Sequence, residues 1–253
     1  MLEVLTVGLL VALRSLGVVL VLPSPGGGSL PNALRGGLVI LVSALLAPGV
    51  AAPAGLLGRG WESLVIAGLA ELMLGFVMGF VVRIAFSIAA LGGRLIANEI
   101  GLNSPPGFDV PTPSQEPLPS LLTAFSGGMF FSLGLHHDVL AAFSRSFDVC
   151  PVGRFVISVH TIEIMTRLTS DILAIGLSIA APYIALSFVV NVAFGLMGRA
   201  VPRINVYVES VSLRLAAGLL FLAGSGVLLW RNLDPVWHGL ARHMLEVSLA
   251  PVR

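Results

Sequence analysis

The sequence predicts an all-α fold: a multi-helix integral membrane subunit with about six long apolar helices. Three observations carry that expectation. Of the 253 residues, 56% are hydrophobic and 11% charged, against about 25% charged in an average soluble chain. The apolar residues fall into runs of helical length. Between the runs lie segments rich in Pro and Gly, which end helices. A chain whose apolar surface is covered by partner subunits has the same composition.

The first run, Leu2 to Leu22, is interrupted by Arg14. At about 1.5 Å per residue it is roughly one bilayer long. Glu3 stands where a secretory signal carries basic residues, so we expect a retained helix. A Pro/Gly/Ser linker follows. The second run, from about Leu34 to Leu57, contains Pro48 and Pro53 and reads as one bent helix or a re-entrant pair. The third, Trp61 to about Glu99, is too long for a straight span, and a kink is expected near Gly92-Gly93. The segment from Gly101 to Pro119 has six prolines in nineteen residues and reads as a long irregular loop.

The fourth run spans about Ser120 to Phe143. A polar connection then leads to a short helix with His160, Glu163 and Arg167. The fifth spans about Ser170 to Met197 with Pro182 inside, which packed membrane helices tolerate. The sixth spans about Val206 to Trp230. The tail, 231–253, places Val236, Trp237, Leu240, Met244 and Val247 at helical spacing, as in an amphipathic helix docking on a surface or partner. No tandem repeat stands out, and a single domain over 1–253 is expected.

Glu71, Gly75, Gly79 and Arg83 recur every four residues, so they share one helix face. The glycines form a small-residue stripe suited to close helix packing. The two charges lie about 18 Å apart along the helix and cannot pair with each other. Each needs its own partner, as structural ion pairs or as charges lining a conduit.

Several chemistries are excluded. A net charge of +1 gives no basis for nucleic-acid binding. Cys150 is the single cysteine, so neither an internal disulfide nor a cysteine-based metal cluster can form. His136, His137 and Asp138 are adjacent, and neighbours on a helix point about 100° apart, which is poor ligand geometry. The metal-protease, Walker A and nucleophile-elbow motifs are absent. The expectation is a non-enzyme without cofactor or metal.

Asn191 to Tyr207, N-V-A-F-G-L-M-G-R-A-V-P-R-I-N-V-Y, reads as the end of an apolar helix and a basic, proline-broken corner. Asn191, Gly195 and Arg199 share a face. Gly195 and Gly198 would admit a second helix. This stretch resembles the signature of the FliR/SctT family of flagellar and type III secretion export-gate proteins, roughly N-x-A-L-G-x-x-x-R-x-x-P-x-x-N/S-I-F. Asn191, Ala193, Gly195, Arg199, Pro202, Asn205 and Tyr207 match it. The stretch Gly134 to Gly153 is similar to a second family pattern through His136, Ser146, Phe147, Pro151 and Gly153. The chain departs from the family at Ser210, Val211 and Ser212, between Glu209 and Arg214, where an apolar Gly-Phe-Pro is usual.

The resemblance implies an all-α, non-catalytic structural and gating subunit of a protein export channel in the bacterial inner membrane, within a flagellar or injectisome basal body. It implies a hetero-oligomer with FliP-like and FliQ-like subunits and an FlhB-like switch protein, contact with lipid, and unfolded exported proteins as substrate. It also implies that the loop at 102–119 plugs the closed pore, with Asn103, Pro105, Pro106, Gly107, Phe108, Asp109 and Pro111 forming the plug. The alternative reading is an autonomous secondary transporter of a small solute, built around broken helices and the charges Arg14 and Glu71.

Overall fold

The computed structural model describes residues 2–23, 31–51, 60–102, 116–200 and 206–249. Eight α-helices occur among them: α1 (Leu2–Val21), α2 (Asn32–Leu46), α3 (Trp61–Glu99), α4 (Pro117–Ser132), α5 (Leu135–Val149), α6 (Val159–Ala200), α7 (Val206–Gly224) and α8 (Gly226–Ser248). The described residues contain no strand. Among the described residues, four helical segments are long and apolar enough to cross a membrane: α1, α2 together with the 3₁₀ turn that follows it to Gly49, α3 and α6. Counting α4–α5 and α7–α8 as bent spans gives up to six.

The centre of the fold is α3, which packs against α1, α4, α6 and α8. Its contact with α1 is the most extensive, and glycines explain why. A Cβ on Gly75 would collide with the Arg14 carbonyl, and one on Gly17 with the Leu72 carbonyl. A Cβ on Gly79 would lie 2.7 Å from the Val18 carbonyl. Gly75 meets Arg14 and Gly79 meets Val18, four residues further on in both helices, so α1 and α3 run parallel in register.

Several boundaries differ from the sequence expectation. α3 runs through Gly92-Gly93 as one continuous helix. The glycine pair serves close approach instead: Gly92 faces Ile179 of α6, and Gly93 faces the backbone of Pro119 in α4. The fourth apolar run is two helices, bent by 71° at Leu133-Gly134, with Gly134 at φ +70. The short helix expected around His160 and the fifth apolar run are one 42-residue helix, α6. Pro117 and Pro119, expected in the loop, lie in the first turn of α4, where a missing N–H costs little. The second run is helical to Leu46, closes with a 3₁₀ turn at Ala47–Gly49, and leaves the described residues at Ala51.

The tail helix begins earlier than expected and docks on its own chain. Leu229, Leu233, Trp237, Leu240, Met244 and Val247 are buried at spacings of three and four, the stripe of an amphipathic helix. They face α3, α5 and α6. Trp237 meets Phe86 of α3 edge-on at 5.0 Å and Phe130 of α4 at 5.3 Å. At the bend of 62° between α7 and α8, Ser225 accepts a 2.7 Å hydrogen bond from the buried Tyr183 hydroxyl of α6.

Candidate functional site

An arginine in the middle of an apolar helix costs about 2.5–3.5 kcal/mol on insertion scales unless it finds partners. Arg14 finds four. Its Nε donates to Glu71 Oε2 at 2.5 Å, with both side chains fully buried. Its two terminal nitrogens donate to Ser146 Oγ and to the Cys150 carbonyl, each at 3.0 Å. Its Cζ lies 4.0 Å from the centre of the Phe147 ring, within cation–π range.

The second Glu71 oxygen is also satisfied. Oε1 accepts a 2.7 Å hydrogen bond from the Gly153 N–H. That N–H is aimed by a turn from Pro151 to Arg154, closed by a 3.2 Å bond from the Arg154 N–H to the Pro151 carbonyl. Gly153 sits at φ +78, at the turn position that favours glycine. One guanidinium and one carboxylate therefore tie together α1, α3, α5 and the connection into α6.

The surroundings are closed. Ser146 Oγ donates onward to the Phe143 carbonyl at 2.7 Å. Cys150 is fully buried, and burial pushes its thiol pKa up, with the Arg14 guanidinium acting in the opposite direction. Among the described residues, no three His, Cys, Asp or Glu side chains come together as metal ligands.

The sequence-derived candidates divide into separate groups. Glu71, Gly75, Gly79, Pro151 and Gly153 belong to this centre or to the helix contact beside it. Arg83 does not: it is exposed. The reason is the length of α1. Gly79 already faces Val18, so the next turn of α3 lies beyond the end of α1 at Val21. His136 sits on the α4–α5 bend, its ring 5.5 Å from Phe131 and 4.0 Å from His137, with Nδ1 buried and unpartnered.

Asn191, Gly195 and Arg199 lie on the last three turns of α6, all exposed. A Cβ on Gly195 would meet nothing within 4 Å, so among the described residues no other helix uses that face. Pro202, Asn205 and the loop residues Asn103, Pro105, Pro106, Gly107, Phe108, Asp109 and Pro111 lie outside the described residues. At the end of that loop, Glu116 Oε2 meets Arg94 Nε at 2.7 Å, an exposed pair between the start of α4 and α3.

Sequence reasoning did not single out Gly17 or the Tyr183–Ser225 bond. Gly17 has no periodic partner within its own helix, so nothing marked it. Tyr183 follows Pro182 in the sequence, but its contact with Ser225 is 42 residues away.

Residues 5–239 match the family model described as bacterial export proteins, family 1. The chain belongs to this family of bacterial export proteins. It is 26% identical over 247 residues to "Flagellar biosynthetic protein FliR" of Caulobacter vibrioides, covering 95% of each chain. It is 23% identical over 215 residues to the Escherichia coli protein of that name, covering 83% of this chain and 80% of the relative. It is 29% identical over 197 residues to "Yop proteins translocation protein T" of Yersinia pestis, covering 75% of this chain and 73% of the relative. The export protein is thus a structural, membrane-associated component of a multi-subunit protein export apparatus of the flagellar and type III secretion kind.

Proposed function

We propose that this export protein is a non-catalytic gating subunit of the export channel. It would assemble in the bacterial inner membrane with FliP-like and FliQ-like subunits and an FlhB-like switch protein, and pass unfolded proteins. The observation that carries this reading is the bare apolar surface of α6. Phe188, Val189, Val192, Leu196 and Met197 are exposed on its C-terminal half, where Asn191, Gly195 and Arg199 also lie. A lone soluble domain does not leave so large a patch uncovered.

Helix length argues for protein neighbours as well as lipid. At about 1.5 Å per residue, α3 and α6 are each roughly 60 Å long, twice the hydrocarbon thickness of about 30 Å. The first turns of α6 carry His160, Glu163, Arg167 and Asp171, and the apolar stretch starts only at Ile172. Part of each helix therefore stands outside the hydrocarbon or is surrounded by protein. The segment 103–115 is assigned the role of plug, with Phe108 filling the closed lumen as a hydrophobic constriction.

The test is co-expression with the other export-apparatus subunits, followed by native mass measurement of the purified particle. One copy of this chain in a hetero-oligomer is expected, and deletion of residues 103–115 should then raise ion leakage. A stable monomer or symmetric homodimer without partners would overturn the reading in favour of an autonomous transporter.

A further inference from the structure

A cleft of about 320 Å³ opens between α3, α6 and α8, at the lower end of the range for ligand pockets. Its floor is apolar, with Ala85 and Ile88 from α3, Leu168 from α6, and Val236 and Leu240 from α8. Its rim is polar, with Asp171 from α6 and Arg231, Asn232 and His243 from α8. Pro235 also lines it and has no N–H, which frees the carbonyl of Arg231 four residues earlier.

The charges of the rim differ from those elsewhere on the same helix. Asp234 pairs with His238, and Arg242 with Glu246. Asp171 of α6 and Arg231 of α8 line one cleft without pairing with each other or with a third described residue.

We infer that this cleft receives a polypeptide segment of a partner subunit, inserting one large apolar side chain between a basic residue that meets Asp171 and an acidic residue that meets Arg231. The inference rests on the export-apparatus reading, which supplies partner chains. The occupant is protein and not lipid for two reasons. Asp171 lies in the charged first third of α6, and α8 carries charges at Asp234, Arg242 and Glu246, so the rim of the cleft is set among charged turns although its floor is apolar. An anionic phospholipid would set its phosphate on Arg231 but bring no cation to Asp171, whereas a polypeptide supplies both signs. A side chain with its backbone suits the volume, and a backbone N–H suits the carbonyl freed by Pro235.

The experiment measures N-ethylmaleimide labelling of Val236→Cys in the isolated chain, in lipid vesicles containing the chain alone, and in the assembled apparatus. Arg242→Cys, on the outward face of α8, is the control. Labelling of Val236→Cys is expected to slow roughly tenfold or more in the apparatus alone, since accessibility governs the reaction, while Arg242→Cys keeps its rate. Adding Asp171→Asn should restore much of the Val236→Cys rate in the assembled particle. Equal rates in isolated and assembled protein overturn the inference. So does protection by vesicles alone, equal protection of both sites, or no recovery with Asp171→Asn. An apparatus that assembles with the cleft still open leaves the export reading standing and removes this inference only.

Discussion

Arg14 on α1 and Glu71 on α3 form an ion pair in which both side chains are fully buried, and each is held by backbone groups of one short connection. The Cys150 carbonyl accepts from Arg14, and the Gly153 N–H donates to Glu71. The backbone therefore fixes the sign of each partner. A carbonyl needs a donor opposite it, and an N–H needs an acceptor.

This polarity gives a sharp expectation for charge reversal. Arg14→Leu or Glu71→Leu alone leaves the other charge buried and unpaired, which costs about 3–5 kcal/mol. The double exchange, Arg14→Glu with Glu71→Arg, restores opposite charges but sets a carboxylate against the Cys150 carbonyl and a guanidinium against the Gly153 N–H. It is expected to fail as badly as the single variants. Yield of monodisperse protein and thermal unfolding in detergent are the readouts, and recovery by the exchange would show that charge balance alone matters.

Glycines of the same spacing should behave in opposite ways. Gly75→Ala places a methyl group into the Arg14 carbonyl, backbone against backbone, with no flexible side chain to yield. The α1–α3 contact must separate, and an overpacking cost of about 1–3 kcal/mol is expected. Gly195→Ala has open space around it and replaces a poor helix former with the best one, so the isolated chain should gain about 0.5–1 kcal/mol. If a partner helix uses the Gly195 face, the same variant should weaken assembly. Comparing unfolding of the isolated chain with yield of assembled particle separates the two effects.

These contrasts show what was legible in the sequence. The Glu71-Gly75-Gly79 face was legible because a helix repeats every 3.6 residues and the stripe lies on one element. The exposure of Arg83 was not, because it depends on where α1 ends. Apolar runs pointed to six spans, the upper end of the four to six that the helices allow, but misplaced their ends. Backbone hydrogen bonding carries α6 through the polar turns of His160 to Asp171, whereas hydropathy stops there. The break at Gly134 lay hidden in a continuous apolar run, since one glycine does not end a helix unless tertiary contacts demand its left-handed conformation. The family patterns at Pro151 and Gly153 pointed to a corner, but its bond to Glu71 spans 82 residues and has no sequence signal.

Cys150 is expected to report on the buried centre. It is fully buried, and burial raises its thiol pKa. A free thiol is half ionised near pH 8.5, and burial shifts the ionisation of this one to higher pH. The ratio of maleimide labelling between unfolded and folded chain should therefore be largest near pH 7 and narrow as pH rises past 8.5, where the unfolded thiol saturates as thiolate first. Arg14→Leu should raise labelling of the native-state protein by loosening the α1 contact. Mass spectrometry after timed quenching reads both effects, and equal labelling of folded and unfolded wild-type chain would contradict the buried placement.

The α7–α8 bend offers a test in which two partners of one hydrogen bond are not equivalent. Ser225 Oγ donates its proton to the Leu222 carbonyl at 2.9 Å, so in the 2.7 Å contact with Tyr183 the phenol is the donor. Tyr183→Phe removes that donor while the Ser225 proton keeps its acceptor, a loss of about 0.5–1.5 kcal/mol. Ser225→Ala removes the acceptor and strands the Tyr183 hydroxyl, which is fully buried beside Phe221. An unsatisfied buried donor costs about 1–3 kcal/mol. The smaller substitution should therefore be the more damaging one in thermal unfolding, and the Tyr183→Phe/Ser225→Ala double variant should be more stable than Ser225→Ala alone. The reverse order would mean that the phenol accepts and that Ser225 has released its bond to the Leu222 carbonyl.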